Sequence, residues 1–136
     1  MVFLDTSAFV KRYVEEEGTD RVLELMDRDR DWCASGLCFS EARITLCHLD
    51  LDDETLAKLD DSLESDWDRF LVVPVDELCL AGAVELGCRH RIRTLDAVHL
   101  AAAARIPNPV TFASFDTQQL EAASALGFAI ADLEQA

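Results

Sequence analysis

Short apolar runs alternate along this chain with longer stretches of helical periodicity, and that alternation confines it to one architectural class. Such repetition is the signature of an α/β fold around a mainly parallel sheet. Five runs read as strands, at residues 2–4, 32–34, 70–75, 110–114 and 128–131. The third and fourth are nearly continuous in Val, Phe and other apolar residues, which predicts strands covered on both faces. Helical patterns fall at 8–14, 19–29, 40–49, 55–70, 77–88, 95–105 and 118–126. Val22, Leu23, Leu25 and Met26 form one apolar face, Ile44 and Leu46 a second, and Leu56, Leu59, Leu63 and Trp67 a third. Gly127 ends the last helix, and Pro107 and Pro109 mark the loop before the fourth strand. There is no repeat, low-complexity tract or linker, so the 136 residues read as one domain, 1–136.

Charge narrows the class of partner. The 27 Asp and Glu against 12 Lys and Arg give a net charge of −15, which excludes a generic basic nucleic-acid or anionic-membrane binder. Nine acids crowd residues 50–68 against the single base Lys58, the pattern of a solvated helix face. The opposite sign gathers at 89–93, Arg-His-Arg-Ile-Arg, and at Lys11-Arg12. No apolar run reaches membrane-spanning length, and Asp5 interrupts the N-terminal run before it could resemble an export signal. The five cysteines are odd in number and form no Cys-x-x-Cys pair; together these features predict reduced thiols in a cytoplasm. Cys88 with His90, and Cys47 beside His48, match no structural zinc spacing.

Four carboxylates stand where chemistry would need them. Sites in an open parallel sheet form outside the C-terminal ends of the strands. Asp5 directly follows the first strand, and Asp116 follows the fourth in Ser114-Phe115-Asp116-Thr117. Asp96 opens the helix beginning near Leu95, and Glu41 lies in the first turn of the helix predicted from Ser40. Each has a structural explanation: Asp5 and Asp116 as helix N-caps, Asp116 with Gln119 as a capping box, and Asp96 and Glu41 as partners of a helix dipole. Together the four would repel one another unless a cation lies between them, and a hard ion such as Mg²⁺ or Mn²⁺ suits oxygen donors. Thr6, Ser7 and Ser114 offer hydroxyls to a carboxylate or a metal-bound water, or equally to caps and turns. His99, three residues after Asp96 and set among Val98, Leu100 and alanines, reads as a packed, hydrogen-bonded histidine. Trp32 and Trp67 read as core or subunit-seam residues, since neither lies in a basic aromatic stripe.

Asp5-Thr6-Ser7, Ser40-Glu41-Ala42, Thr94-Leu95-Asp96-Ala97-Val98-His99-Leu100-Ala101 and Ser114-Phe115-Asp116-Thr117-Gln118-Gln119-Leu120 resemble, in this order, the motifs of a PIN domain. The resemblance covers nearly the whole chain, and its length suits the VapC-type toxins of toxin–antitoxin pairs. It implies a three-layer α/β/α sandwich around a central sheet of about five strands. It also implies a Mg²⁺- or Mn²⁺-dependent endoribonuclease, a homodimer, and inhibition by a cognate antitoxin. Asp5, Glu41, Asp96 and Asp116 would form the catalytic, metal-holding quartet. Asp5 and Asp96 would hold a first metal, and Asp116 and Glu41 would complete the site or orient water. Lys11, Arg12, Arg43, Arg89, Arg91 and Arg93 are the candidates to meet RNA phosphates, with 89–93 as the main edge. The acidic surface suits an antitoxin with a basic segment that enters the carboxylate pocket. The apolar faces of the early helices are the expected seam of the homodimer.

Two other readings compete. A haloacid-dehalogenase-like phosphotransferase also begins with an Asp after its first strand, but places a second Asp two residues on, where this chain has Ser7. A non-catalytic module of the same fold would bind protein or RNA and would be expected to lose part of the acidic set, whereas all four positions are acidic here.

Overall fold

The computed structural model describes residues 1–134. Its elements run β1 (Val2–Leu4), α1 (Thr6–Val10), α2 (Thr19–Arg28), β2 (Trp32–Ser35), α3 (Leu37–Cys47), α4 (Asp53–Trp67), β3 (Leu71–Val73), α5 (Glu77–His90), α6 (Thr94–Ala103), β4 (Thr111–Ala113), α7 (Thr117–Ala125) and β5 (Ala129–Ile130). The strands form one sheet in the order β3-β2-β1-β4-β5, with every pair parallel. From β1 the chain builds outward to β2 and β3, then crosses back through α5 and α6 to lay β4 against the other side of β1. That reversal opens a crevice between β1 and β4, the usual place for a site in such sheets. Their register, Val2↔Thr111, Phe3↔Phe112 and Leu4↔Ala113, brings both strand ends to one level.

Strand pleating sends alternate residues to opposite faces, and the two faces are packed differently. Val2, Leu4, Trp32 and Ala34 point to the α1–α4 side, where Phe9, Trp67 and Phe70 interlock with ring centroids 5.0–6.1 Å apart. Trp32 is buried there, donates its Nε1–H to the Met26 and Asp29 carbonyls, and lies beneath Arg12, Arg30 and Arg69. Trp32 is therefore a core residue, and Trp67, half-buried, packs against that core. Phe3, Cys33 and Phe112 point to the α5–α7 side, where the alanines of α6 dominate. Small residues let α5 lie close to α6: a methyl added at Gly82 would come to 3.4 Å from the Ala101 Cβ.

The structure corrects several expectations. The run around β3 is an edge strand with Leu71 and Val72 exposed, whereas β4 is covered on both faces as expected, as are β1 and β2. An apolar run reports burial without saying how many neighbours its strand has. α1 starts at Thr6 rather than residue 8, because Asp5 caps it. α3 starts at Leu37 rather than residue 40, after Gly36, which offers no side-chain cap. Glu41 consequently sits in the second turn of α3. Leu23 and Ile44, read as apolar-face residues, are exposed. All five cysteines are free thiols. Among the described residues, no helix is long and apolar enough to cross a membrane.

Candidate active site

Asp5 leaves β1 with extended backbone and caps α1 by accepting from the Ala8 amide at 3.0 Å. The Ser7 hydroxyl donates to the same Oδ1 at 2.7 Å, and Ser114 contributes a further hydrogen bond. Ser7 also accepts from the Phe115 amide at 2.9 Å, while Ser114 accepts from the Asp116 amide at 3.0 Å. The two hydroxyls thus tie the turn after β1 to the turn after β4. Asp5 is only 3% exposed, and burial pushes its carboxyl above the ordinary range despite these donors.

Asp116 caps α7, its Oδ1 accepting from the amides of Gln118 at 2.9 Å and Gln119 at 3.3 Å. The expected capping box is only half formed. The Gln119 amide group is fully buried and donates to the Asp96 carbonyl at 3.0 Å, linking α7 to α6. Asp96 lies in the first turn of α6, and its carboxylate has no hydrogen-bond or ion-pair partner among the described residues. Burial raises its pKa, followed by the charges of Asp116 and Asp5, against weaker opposition from His99 and Arg93. Asp5, Asp96 and Asp116, distant in sequence, therefore share one electrostatic neighbourhood.

Glu41 is held from another direction. Its Oε1 accepts from the Thr6 hydroxyl at 2.6 Å and lies 2.6 Å from His99 Nε2. Partial burial raises its pKa, but His99 and Thr6 together outweigh that and leave it below the ordinary value. His99 is 2% exposed, with Nδ1 3.0 Å from the buried Ser35 hydroxyl. It is the packed, hydrogen-bonded histidine expected. Ser35 escaped sequence reasoning: it meets its partner 64 positions away, at no motif spacing.

Thr6, Ser7 and Ser114 thus all serve the carboxylates. The basic candidates divide. Arg12 bonds Asp66 at 2.8 Å, Arg43 pairs with Asp60 at 2.7 Å, Arg89 with Glu85 at 3.0 Å and Lys11 with Glu16 at 3.0 Å. The acidic helix α4 is therefore more than a solvated face, since it engages the arginines of the α1 end and of α3. Arg91 and Arg93 have no ion-pair partner among the described residues, and Arg93 is the one whose charge acts on Asp96.

Among the described residues, no three His, Cys, Asp or Glu side chains stand as a ready-made metal cluster. The donor chemistry nevertheless fits a hard divalent cation: the ligands available are carboxylate oxygens, and Asp96 is surrounded by like charge that a cation would relieve.

The PIN domain family matches residues 2–125. The chain belongs to the PIN-domain family. Ribonuclease VapC45 of Mycobacterium tuberculosis is 30% identical, with 96% of this chain and 94% of that protein covered. Among solved structures, FitAcB from Neisseria gonorrhoeae superposes with a TM-score of 0.76 at 24% identity, covering 97% of each chain. VapBC2 from Rickettsia felis, bound to a promoter DNA fragment, gives a TM-score of 0.66 at 17% identity, covering 97% of this chain and 100% of the other. Membership in the PIN family removes the dehalogenase-like reading. Ser7, which stands where that reading needs a second carboxylate, instead bonds Asp5 and the Phe115 amide.

Proposed function

We propose that this PIN-domain protein is a metal-dependent endoribonuclease, working in the cytoplasm as the toxin of a toxin–antitoxin pair. The observation that carries the reading is the shared neighbourhood of Asp5, Asp96 and Asp116 at the crevice between β1 and β4. The 30%-identical relative named as a ribonuclease supports it.

Asp5, Asp96 and Asp116 would hold Mg²⁺ or Mn²⁺. When bound, such an ion supplies Lewis-acid stabilisation of phosphoryl charge and activation of water. Asp5 offers the oxygen not engaged by Ala8, and Asp116 the oxygen not engaged in capping α7. Glu41 keeps Oε2 clear of Thr6 and His99, so this oxygen is the one placed to orient a water and accept its proton. Arg93, with Arg91, provides the local positive charge that draws an RNA phosphate toward an otherwise acidic protein. An antitoxin with a basic segment complements the same carboxylates.

A homodimer completes the reading, with its seam on α5 rather than on the early helices. The apolar faces of α1–α4 largely fill the core. On α5, Leu78, Leu80 and Val84 are exposed, Leu78 and Val84 at 72% and 68%. Glu77 stands at one end of this helix and Arg89 and Arg91 at the other, so antiparallel pairing of two copies opposes unlike charges. Val84→Asp is expected to yield a monomer by light scattering; an unchanged mass would remove α5 as the seam.

The test of function is cleavage of total cellular RNA, with new 5′-phosphate ends mapped, in Mg²⁺, in Mn²⁺ and in chelator. Discrete metal-dependent cuts are expected. They should fall about 10²- to 10⁴-fold in folded Asp5→Asn and Asp96→Asn, the range for loss of a group acting at the reacting atoms. Cuts that persist in both variants would mean a contaminating nuclease or the wrong site, and no cuts from any RNA would refute the ribonuclease and favour a binding module.

A further inference from the structure

We propose that Ser35 and His99 form a buried positioning relay that fixes the orientation of the His99 ring and, through it, that of the Glu41 carboxylate. The inference rests on the ribonuclease reading for its catalytic consequence, though not for its geometry. Ser35 ends β2, the strand beside β1, and is completely buried. Its hydroxyl has one side-chain partner among the described residues, His99 Nδ1 at 3.0 Å. On the opposite side of the imidazole, Nε2 lies 2.6 Å from Glu41 Oε1.

The hydrogen placement follows from the partners. A carboxylate only accepts, so Nε2 must carry the proton that bridges it to Glu41. A neutral imidazole with its proton on Nδ1 would face the anion with a lone pair and would leave the Ser35 proton buried without an acceptor. With Ser35 donating to Nδ1 and Nε2–H donating to Glu41, every group is satisfied. Thr6 donates to the same Oε1 at 2.6 Å, so two donors from different elements, α1 and α6, converge on one oxygen. This convergence fixes the side chain of Glu41 and leaves Oε2 as its reactive face. Asp96 and His99, three residues apart on α6, are presented by the same helix turn. The relay therefore ties Glu41, carried by α3, to the frame that carries Asp96.

The experiment has one readout that does not depend on activity. Nitrogen chemical shifts of His99 in the metal-free protein are expected to show a proton on Nε2 and an Nδ1 hydrogen-bonded to a hydroxyl. Ser35→Ala is expected to shift the Nδ1 resonance, because that contact is lost, while Nε2 keeps its proton against Glu41. An Nε2 without a proton would overturn the proposal, as would an Nδ1 resonance unchanged in Ser35→Ala. In cleavage assays, His99→Phe is expected to lower kcat about 10- to 100-fold with KM little changed, the cost of losing a group that orients a site ligand. His99→Gln, which restores an N–H donor, should recover part of that loss. Equal kcat in wild type and His99→Phe would also overturn it. A wild-type protein that cuts no RNA but shows the expected Nε2 proton and Ser35-dependent Nδ1 shift would refute the ribonuclease reading and leave the relay standing.

Discussion

The two sides of the carboxylate site are built on opposite plans. Glu41 and Asp5 are braced: each has one oxygen engaged by a hydroxyl and a second donor, Thr6 with His99 for Glu41 and Ser7 with the Ala8 amide for Asp5. Asp96 has no such donor among the described residues and feels chiefly burial and the charges of Asp116 and Asp5. The difference assigns roles. A braced carboxylate is oriented by the protein itself, whereas Asp96 is the acid that gains most from a cation. Stability is withheld on the open side, as expected where charge is held in readiness for a ligand.

Removing a brace should have the largest effect on folding. Ser7→Ala takes a donor from buried Asp5 and the acceptor from the Phe115 amide, and should destabilise the metal-free protein by about 2 kcal/mol in urea unfolding. Asp96→Asn should move the other way, raising metal-free stability by less than about 1 kcal/mol, the scale of a partly exposed charge interaction. If both variants lose stability, the contrast between the two sides is wrong.

The pH dependence sharpens the same contrast. Glu41 is held below its ordinary pKa of 4.5, so its contribution is complete above that value and is lost as pH falls through the lowered one. Asp96 is raised above its ordinary 3.8, so it withdraws stability as pH rises from there through the raised value. In metal-free protein, Glu41→Gln should flatten the acid limb of the stability profile, and Asp96→Asn should lessen the decline above it, the remainder belonging to buried Asp5. Identical profiles for the two variants would break the comparison.

The smallest expected effect concerns RNA contact. Arg93→Ala should raise the KM for RNA severalfold and weaken its salt dependence, since a phosphate contact is lost. Arg12→Ala should leave KM unchanged, because Arg12 is already bound to Asp66. A KM that responds to Arg12 and not to Arg93 would relocate the RNA path.

Much of the fold was legible because the sequence punctuates it. Asp5 closes β1 at Leu4, and Gly127 follows α7 and its C-cap Leu126. Legibility failed where local chemistry is silent. Gly36 leaves the start of α3 without a side-chain cap, so Ser40 looked like the helix start and Glu41 was placed a turn too early. The Val-rich run at β3 gave no sign that its strand lies at an edge. Of the candidate site, four acids and three hydroxyls are legible as candidates from their positions at strand ends and helix starts. The engagement of Arg12 and Arg43 by Asp66 and Asp60, and the bond between Ser35 and His99, are not, because they join segments distant in sequence whose contact depends on the packed fold.

Mn²⁺ binding to the purified protein, followed by electron paramagnetic resonance, tests the central claim most directly. The account predicts saturable binding that is lost in Asp96→Asn and retained, though weakened, in Glu41→Gln, with a thermal midpoint that rises with Mn²⁺ only where binding survives. Binding of equal strength in wild type and Asp96→Asn would contradict it, since the open acid would then have no part in holding the cation.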